Sequence, residues 1–484
     1  MNKHTWQQSH RSSAQVTWLV LVALLNLTAC DTLEVGIERT ATPDRTRPTT
    51  VTPENTSLTA QIASTPTNPP TAQAETATNP SYQANNHSGS PVISADGRYV
   101  VFSSGADNLV PDDTNKGSDI FVYDRQAHTT ELITLAEDGS PANESSGSHS
   151  VSSDGRWVVF MSIASNLVAG DTHDQSDVFV HDRQTDRTTL VSMAQDGTSG
   201  NGMSMDANIS ADGRWITFAS TADDLVPEID EHTGENIADT NGMVDIFVYD
   251  RLGESIRRVS LSSDGEQSNN NSNLPSISAD GRWVVFWSVA DNLVPGAGRG
   301  IYLYDRSDGI TRFITDGSAP TISPDGRWIG FLSSSSDLVS DDAIYAQLYD
   351  RQTDEITVIG GYAEEIHGRA SNVVNFSMDG EWLAFSSVFS SPDSPLEGNS
   401  SEWGQQVFLR DQKTGSFTLL SAAPNGLAGN SSSASPSLSA DGRWIAFQSF
   451  ADNLVPNDTN GYMDVFVYDR ETGTMELVSW AVEP

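Results

Sequence analysis

The chain has a single cysteine, three lysines and no apolar run longer than about a dozen residues. A lone thiol, Cys30, excludes a disulfide framework. With so little lysine, 26 basic residues face 65 acidic ones among 484, and the formal net charge is −39. Proteins that bind nucleic acid carry basic patches that neutralise phosphates, so this composition predicts no nucleic-acid partner.

What the chain has in abundance is repetition, which is the first feature to establish in any sequence. Seven copies of one motif fill residues 85 to 480, and their shared Asp-Gly pairs are Asp96-Gly97, Asp154-Gly155, Asp212-Gly213, Asp280-Gly281, Asp325-Gly326, Asp379-Gly380 and Asp441-Gly442. Each copy holds four short β-branched and aromatic runs between turn-forming residues, for example PSLS, RWIAFQS, MDVFVYD and MELVS. This pattern predicts a four-stranded antiparallel meander, with strands A to D in sequence order.

The middle two strands of each copy, B and C, are apolar on both faces, so each sheet must be covered on both sides. A closed ring covers every sheet twice and hides the long edges. We therefore predict an all-β fold, a seven-bladed β-propeller of four-stranded antiparallel blades, over residues 84–484. The approximate blade boundaries are 85–137, 143–194, 201–262, 269–315, 319–360, 368–422 and 430–480.

The repeated runs, such as SADGRYVVFSS, SADGRWVVFWS and SADGRWIAFQS, each followed by a DIFVYDR-like strand, resemble the TolB-type, WD-like propeller repeat. The resemblance covers about four fifths of the chain and implies the propeller fold. It implies no single function, because propellers of this type serve as periplasmic interaction scaffolds, ligand-binding modules and gating domains of serine peptidases. The chain contains no GxSxG nucleophile motif, which disfavours the peptidase reading.

The N-terminus predicts an exported, lipid-anchored protein. A basic segment precedes a short apolar run, Val16 to Leu27, as in a signal peptide spanning residues 1–29. Leu27-Thr28-Ala29-Cys30 resembles the bacterial lipobox, in which the cysteine is lipidated. Residues 30–83 form a predicted disordered linker, because residues 31–83 contain 14 Thr and 7 Pro and have almost no apolar pattern. The predicted location is the bacterial cell envelope, on the outer side of the cytoplasmic membrane, in the periplasm or at the cell surface.

The meander places the A–B and C–D turns on one face of the ring and the longer B–C and D–A loops on the other. Scaffolds with variable loops at one end usually bind there. An acidic insertion and a replaced loop distinguish two blades, and they predict a binding face that includes Asp230, Glu231, Glu235 and Trp403.

A second motif lies on the B–C loop of four blades, where Asp-Thr-Asn, or Asp-Thr-His in the second blade, is followed by a further aspartate. Hard oxygen ligands on a tight loop suit calcium. The predicted ligands are Asp113, Asn115, Asp119, Asp171, Asp177, Asp239, Asn241, Asp245, Asp458, Asn460 and Asp464. The alternative is structural, since Asp and Asn side chains often bond nearby backbone amides to hold a loop.

Two further sets of residues invite a functional reading. The strand-B aromatics, which are Tyr99 and the six tryptophans Trp157, Trp215, Trp283, Trp328, Trp382 and Trp444, could form a sugar-stacking row, but their repetition favours packing between blades. The leucine and valine of each DNLVP segment are likewise predicted to be buried. His149, His173 and His181 of the second blade could meet at a metal, although no short ligand spacing links them.

Two functions remain open from the sequence. The first is a binding scaffold, predicted to be monomeric, that binds a protein or an envelope polymer with its long-loop face and has no catalytic residues. The second is a polysaccharide hydrolase or lyase that uses a carboxylate pair in the central funnel. The absence of a recognisable catalytic set favours the scaffold.

Ring closure follows from the order of the strands. Each blade is complete in sequence order, so no strand exchange between the first and last blades is required. Packing of these two sheets alone is predicted to hold the ring shut, through Val101, Phe121, Trp444 and Phe466.

Overall fold

The computed structural model describes residues 83–171, 173–227, 238–333, 345–360, 374–388 and 404–481. Within these ranges the chain forms 28 β-strands in seven four-stranded antiparallel sheets, with no helix among them. The predicted all-β, seven-bladed propeller is confirmed. The predicted signal peptide, Cys30 and residues 31–82 of the predicted linker fall outside the described residues, whereas Gln83, which the sequence assigns to the linker, is described.

The strands follow one another as four per blade. Blades 1 to 3 comprise β1 (Ser88–Ile93), β2 (Tyr99–Ser104), β3 (Asp119–Asp124), β4 (Thr129–Leu132), β5 (Ser146–Val151), β6 (Trp157–Ser162), β7 (Asp177–Asp182), β8 (Arg187–Leu190), β9 (Ser204–Ile209), β10 (Trp215–Ser220), β11 (Asp245–Asp250) and β12 (Ser255–Arg258). Blades 4 and 5 comprise β13 (Ser272–Ile277), β14 (Trp283–Ser288), β15 (Gly300–Asp305), β16 (Ile310–Thr315), β17 (Ser318–Ile322), β18 (Trp328–Ser333), β19 (Tyr345–Asp350) and β20 (Glu355–Gly360). Blades 6 and 7 comprise β21 (Asn375–Phe376), β22 (Trp382–Val388), β23 (Gln405–Asp411), β24 (Phe417–Leu419), β25 (Ser433–Leu438), β26 (Trp444–Ser449), β27 (Asp464–Asp469) and β28 (Thr474–Leu477).

The hydrophobic core is divided among the seven junctions between blades. Each of seven clusters of buried side chains joins one blade to the next, and one of them joins blade 1 to blade 7. Two of the four residues predicted to close the ring, Phe121 and Trp444, lie in that closing cluster. The other two were assigned to the wrong side, because Val101 faces blade 2 and Phe466 faces blade 6.

Apolar packing does not close the ring alone, which corrects the prediction. Gln83 pairs with Trp480 in an isolated antiparallel bridge, and its side-chain oxygen accepts a hydrogen bond from the Thr459 amide at 3.1 Å. The Ser88 amide donates to the Met463 carbonyl at 2.8 Å. Each sheet nevertheless keeps its four strands in sequence order, as predicted. The two ends of the ring therefore meet through main-chain hydrogen bonds as well as side chains, and the seam includes Gln83.

A belt of main-chain hydrogen bonds surrounds the axis at the A–B turns. The residue before each Asp-Gly donates its N–H to the equivalent carbonyl of the next blade, and the seam follows the same rule, with Ala440 donating to Ala95 at 2.8 Å. The six donors are Ala95, Ser153, Ala211, Ala279, Met378 and Ala440. At the seventh position the residue is Pro324, which has no N–H to donate. The chemistry of proline thus accounts for the one gap in the belt.

The strand-B aromatics pack between blades, as the sequence predicts. The ring of Trp444 lies against Gly97 of blade 1, whose φ is 72°, and a Cβ there would overlap the indole. The Arg125 guanidinium of blade 1 covers the same ring, 3.7 Å from its centroid. A positive φ and the close ring both require glycine at this position.

Most of the repeated arginines have structural roles. In six blades the arginine after Asp-Gly pairs with the aspartate that ends strand C, and the Arg98 guanidinium beside Asp124 lowers the pKa of that carboxyl to about 2. In blade 6, Glu381 stands in place of the arginine and pairs with Lys413 at 2.5 Å. The few cations of this acidic chain are therefore largely committed to holding its turns.

Candidate functional site

The long-loop face carries the features most suited to binding. The four residues predicted to form its binding surface, Asp230, Glu231, Glu235 and Trp403, lie outside the described residues. The leucines of the DNLVP segments, or of their variants, are buried as predicted at Leu109, Leu167, Leu225, Leu293 and Leu454. They anchor the loops from below.

Asparagines before strand A fix the same loops from above. In blade 1 the Asn85 amide donates to Asn108 Oδ1 at 3.0 Å, and the Asp107 amide donates back to Asn85 Oδ1 at 3.1 Å. Blades 2, 3, 4 and 7 repeat this reciprocal tie at Asn143, Asn201, Asn269 and Asn430. The asparagines before strand A therefore hold the B–C loop within each of these five blades.

An exposed aromatic cluster lies on this face at the ring seam, formed by His87, Phe450 and Tyr462. The His87 ring makes edge-to-face contacts with both partners, and its centroid lies 5.6 Å from that of Phe450 and 5.1 Å from that of Tyr462. Phe450 is 47% exposed and Tyr462 is 37% exposed. The Met463 amide donates to His87 Nδ1 at 2.9 Å, which fixes the imidazole in place. The cluster is a solvent-facing surface of aromatic side chains, a type of side chain that often anchors interfaces.

The aspartate motifs of the B–C loops converge on the junctions between blades. The final aspartate of each motif opens strand C and is fully buried, and one of its oxygens accepts a hydrogen bond from a hydroxyl 15 residues later. These pairs are Asp119–Thr134, Asp177–Ser192, Asp245–Ser260 and Asp464–Ser479. The third motif residue donates to a main-chain carbonyl of the following blade, in the pairs Asn115–Ala142, His173–Gly200, Asn241–Ser268 and Asn460–Ala84. Each motif therefore joins two blades.

Blades 1 and 2 leave buried carboxylate oxygens without hydrogen-bond partners. These atoms are Asp113 Oδ1, Asp119 Oδ2, Asp171 Oδ2 and Asp177 Oδ2. Burial, with the nearby charge of Asp119, raises the pKa of Asp113 to about 6. Burial raises the pKa of Asp177 to about 7, and the charge of Asp171 acts in the same direction. Two buried carboxylates at one junction repel each other unless a cation or proton lies between them.

In blades 3 and 7, donor side chains lie next to the corresponding aspartates. In blade 3, Asp239 Oδ2 likewise has no hydrogen-bond partner, but Arg258 Nη1 lies 3.5 Å from it and 3.9 Å from Asp245 Oδ2. In blade 7, the Gln83 side chain donates from Nε2 to Asp458 Oδ1 at 3.4 Å, and the Asn460 side chain donates from Nδ2 to Asp464 Oδ2 at 2.8 Å. The structural interpretation of the motif thus fits blades 3 and 7, and the ion-binding interpretation fits blades 1 and 2. Calcium at any of them stays a prediction.

The three histidines of blade 2 do not meet. His149 is buried, with Nε2 bonded to the Val101 carbonyl at 3.2 Å, and burial lowers its pKa to about 4. His181 bonds Thr188 Oγ1 at 3.1 Å. Only His173 joins a possible metal group, with Asp171 and Asp177, and the ligand atoms of these three residues lie within 4.8 Å of one another.

A pocket near the belt of inner-strand turns bears on the enzyme hypothesis. Aliphatic, aromatic and small residues line it, among them Ile93, Val151, Phe376 and Leu438. No acid, base or histidine belongs to this described lining. The pocket therefore offers no carboxylate pair for glycoside chemistry, which needs two such groups across the scissile bond.

Sequence reasoning did not find the Arg258 contact or the aromatic cluster. The repeats did contain a signal for the Arg258 contact, because Arg258 occupies the strand-D position at which blades 1, 2 and 7 have Leu132, Leu190 and Leu477. The aromatic cluster had no such signal. Its members come from opposite ends of the propeller sequence, and only ring closure brings His87 beside Phe450 and Tyr462.

Comparison with known proteins supports the fold. The sequence matches no family model, and no curated protein is significantly similar to it. An oligogalacturonate lyase in complex with manganese aligns with a TM-score of 0.51 and 13% identity, over 82% of this chain and 93% of that chain. The β-propeller domain of the Trilobed protease from Pyrococcus furiosus, described as having an open velcro topology, aligns with a TM-score of 0.51 and 11% identity, over 82% and 99%.

TolB from Acinetobacter baumannii aligns less closely, with a TM-score of 0.38 and 13% identity over 69% of this chain and 62% of that chain. At such identities these likenesses concern the fold alone, and the TolB-type resemblance continues to rest on the repeated sequence. Separately, the described residues include no helix that is long and apolar enough to cross a membrane.

Proposed function

We propose that this protein is a membrane-anchored, extracytoplasmic β-propeller scaffold that binds a protein or an envelope polymer through its long-loop face. The observation that carries the proposal is the exposed cluster of His87, Phe450 and Tyr462, because monomeric soluble proteins rarely group exposed aromatic side chains without a binding role. Met203 and Met243, 46% and 37% exposed, add apolar surface to the same face. Aromatic rings suit both sugar rings and apolar side chains.

The net charge narrows the class of partner. A chain with a formal charge of −39 repels polyanions, and its positive groups are largely paired within turns. The partner is therefore neutral or basic on the surface that meets this face. The hydrolase or lyase alternative gains no support from the central pocket, whose described lining has no carboxylate.

The binding test compares two double variants of the full chain. Phe450→Ala with Tyr462→Ala removes the cluster, whereas Leu252→Ala with Ile310→Ala removes two exposed apolar side chains, 67% and 38% exposed, near the opposite face. Buried aromatic anchors contribute about 2 kcal/mol or more each to an interface, so we expect at least a tenfold loss of affinity in the first variant only.

Sedimentation with purified peptidoglycan and crosslinking in intact envelopes measure this binding. Equal binding by the wild type and the cluster variant would overturn the assignment of this face. Equal losses in both double variants would show that a general change in the protein, rather than the cluster, reduces binding.

Membrane attachment is tested by Cys30→Ser in the full chain. Lipidation buries methylene groups at about 0.8 kcal/mol each, so several acyl chains hold a protein stably at a bilayer. We expect the wild type in the membrane fraction and the variant in the soluble fraction after cell disruption. Continued membrane association of Cys30→Ser, resistant to salt washing, would contradict the lipid anchor. In bacteria that sort lipoproteins by the next residue, Asp31 favours retention at the inner membrane.

A further inference from the structure

We propose that the junction between blades 2 and 3 binds one divalent first-row transition ion, such as Zn²⁺ or Mn²⁺, through Asp171, His173 and Asp177. The proposal does not depend on the binding role of the long-loop face. It rests on two buried carboxylate oxygens without partners, on the orientation of one imidazole, and on what occupies the equivalent place in blade 3.

The ligand atoms are already gathered. One candidate atom from each of the three residues lies within 4.8 Å of the other two, and His173 Nδ1 is 3.7 Å from Asp177 Oδ2. Two ligands about 2.1 Å from one metal ion lie about 3 to 4.2 Å apart, so an ion fits between these two atoms with little movement. Asp177 is fully buried and Asp171 is 8% exposed. Binding of an ion would therefore require only a small inward movement of side chains that are already in place.

The other contacts of the carboxylates leave one oxygen of each for the ion. Asp177 Oδ1 accepts from Ser192 Oγ at 2.6 Å, and Asp171 Oδ1 accepts from the His173 amide at 3.4 Å. The Oδ2 atoms of both aspartates are buried and lack hydrogen-bond partners. Two buried carboxylate oxygens that lack hydrogen-bond partners and lie close together would be stabilised by a cation between them.

The imidazole is oriented as a metal ligand. His173 Nε2 contacts the Gly200 carbonyl, which can only accept, so Nε2 carries a proton, and Nδ1 is the ring nitrogen that faces the carboxylates. Metal-bound histidines almost always donate their other N–H in this way. A long contact from the Gln175 amide, at 3.3 Å, also reaches Nδ1 and is weak enough to be exchanged for an ion.

Blade 3 shows what belongs in this place. Asp239 and Asp245 correspond to Asp171 and Asp177, and the guanidinium of Arg258 lies 3.5 and 3.9 Å from their Oδ2 atoms. Blade 2 has Leu190 at the arginine position. Thus one blade supplies its own cation where the other has an aliphatic side chain and a histidine. The guanidinium stands in for the ion.

The ligand set selects the class of ion. Imidazole with carboxylates suits zinc, manganese and their neighbours, whereas calcium takes six to eight oxygens and no imidazole. Three protein ligands leave at least one position for water. This assignment differs from the calcium predicted for the motif as a whole, because only blade 2 has histidine in place of asparagine.

The experiment uses the full chain stripped with a chelator and then titrated with Zn²⁺, Mn²⁺ or Ca²⁺ by calorimetry, with Co²⁺ absorption reporting the ligand geometry. We expect one equivalent of Zn²⁺ or Co²⁺ to bind and to raise the thermal midpoint, as for any ligand of the folded state. His173→Asn, which installs the residue present in blades 1, 3 and 7, should weaken Zn²⁺ binding at least tenfold.

The matched control is Asn241→His, which places histidine in blade 3 beside Arg258 and should add no second equivalent. Binding of Zn²⁺ that His173→Asn leaves unchanged would belong to other histidines and would overturn the proposal. So would an ion that binds tightly as Ca²⁺ and is indifferent to His173, since that result describes an oxygen-only site. Retained thermal stability of His173→Asn without metal confirms that a loss of binding is not a loss of folding.

Discussion

Removal of the seventh blade, residues 430–484, is expected to abolish cooperative unfolding altogether. The truncation uncovers the side chains of blades 1 and 6 that face blade 7, which include Ile93, Val100, Phe102, Phe121, Leu132, Ala384, Val407, Leu409 and Leu420. Exposing a large buried apolar side chain costs about 1.5 to 3 kcal/mol. Across this set the loss exceeds the roughly 5 to 15 kcal/mol by which domains are stable. Calorimetry and urea titration would show a broad transition or none.

The control is a deletion of the N-terminal segment that keeps Gln83, because this residue contacts blade 7. Removing residues 31–82 while keeping Gln83 should leave the thermal midpoint nearly unchanged, because Gln83 bridges Trp480 and bonds the Thr459 amide. A truncated chain without blade 7 that still unfolded in one sharp transition near the wild-type midpoint would contradict the closed ring. It would mean that six blades close on themselves or that each blade is stable alone.

The fold was predictable because seven copies of one pattern leave few arrangements. The continuous apolar runs in strands B and C show that both faces of each strand are apolar, but they do not show which neighbouring blade each face meets. Val100 and Val101 are consecutive and point to blades 7 and 2 respectively. The sequence shows that successive residues point to opposite faces, but not which face meets the preceding blade and which meets the following one. This is why Val101 and Phe466 were assigned to the wrong junction.

The candidate site was predictable only in part, for a related reason. The aspartate motif is local and visible, whereas its partners are 15 residues away in the same blade or 27 residues away in the next. Thr134 bonds Asp119, and the Ala142 carbonyl accepts from Asn115. Alignment of the repeats distinguishes Arg258 from its neighbour Arg257, but without the register of strands C and D it does not place the Arg258 guanidinium beside Asp239 and Asp245. The structure supplies that register.

The second large effect is expected for Arg258→Leu. Leucine occupies the equivalent position in blades 1, 2 and 7 and is buried there, so the side chain fits this fold. The substitution removes the guanidinium that lies beside Asp239 and Asp245 and that donates to the Ala238 carbonyl at 3.1 Å. Removing one partner of a buried ion pair leaves an uncompensated charge and costs about 3–5 kcal/mol. We expect a matching fall in the free energy of unfolding.

Arg257→Leu is the matched control, because Arg257 is exposed on the same strand and its loss should change stability by less than about 0.5 kcal/mol. Adding Asp239→Asn to Arg258→Leu should restore part of the loss, since the charge left without a partner is then removed as well. A double-mutant cycle in urea measures this coupling. Equal effects of Arg257→Leu and Arg258→Leu, or no recovery with Asp239→Asn, would show that the guanidinium is not what balances the two aspartates.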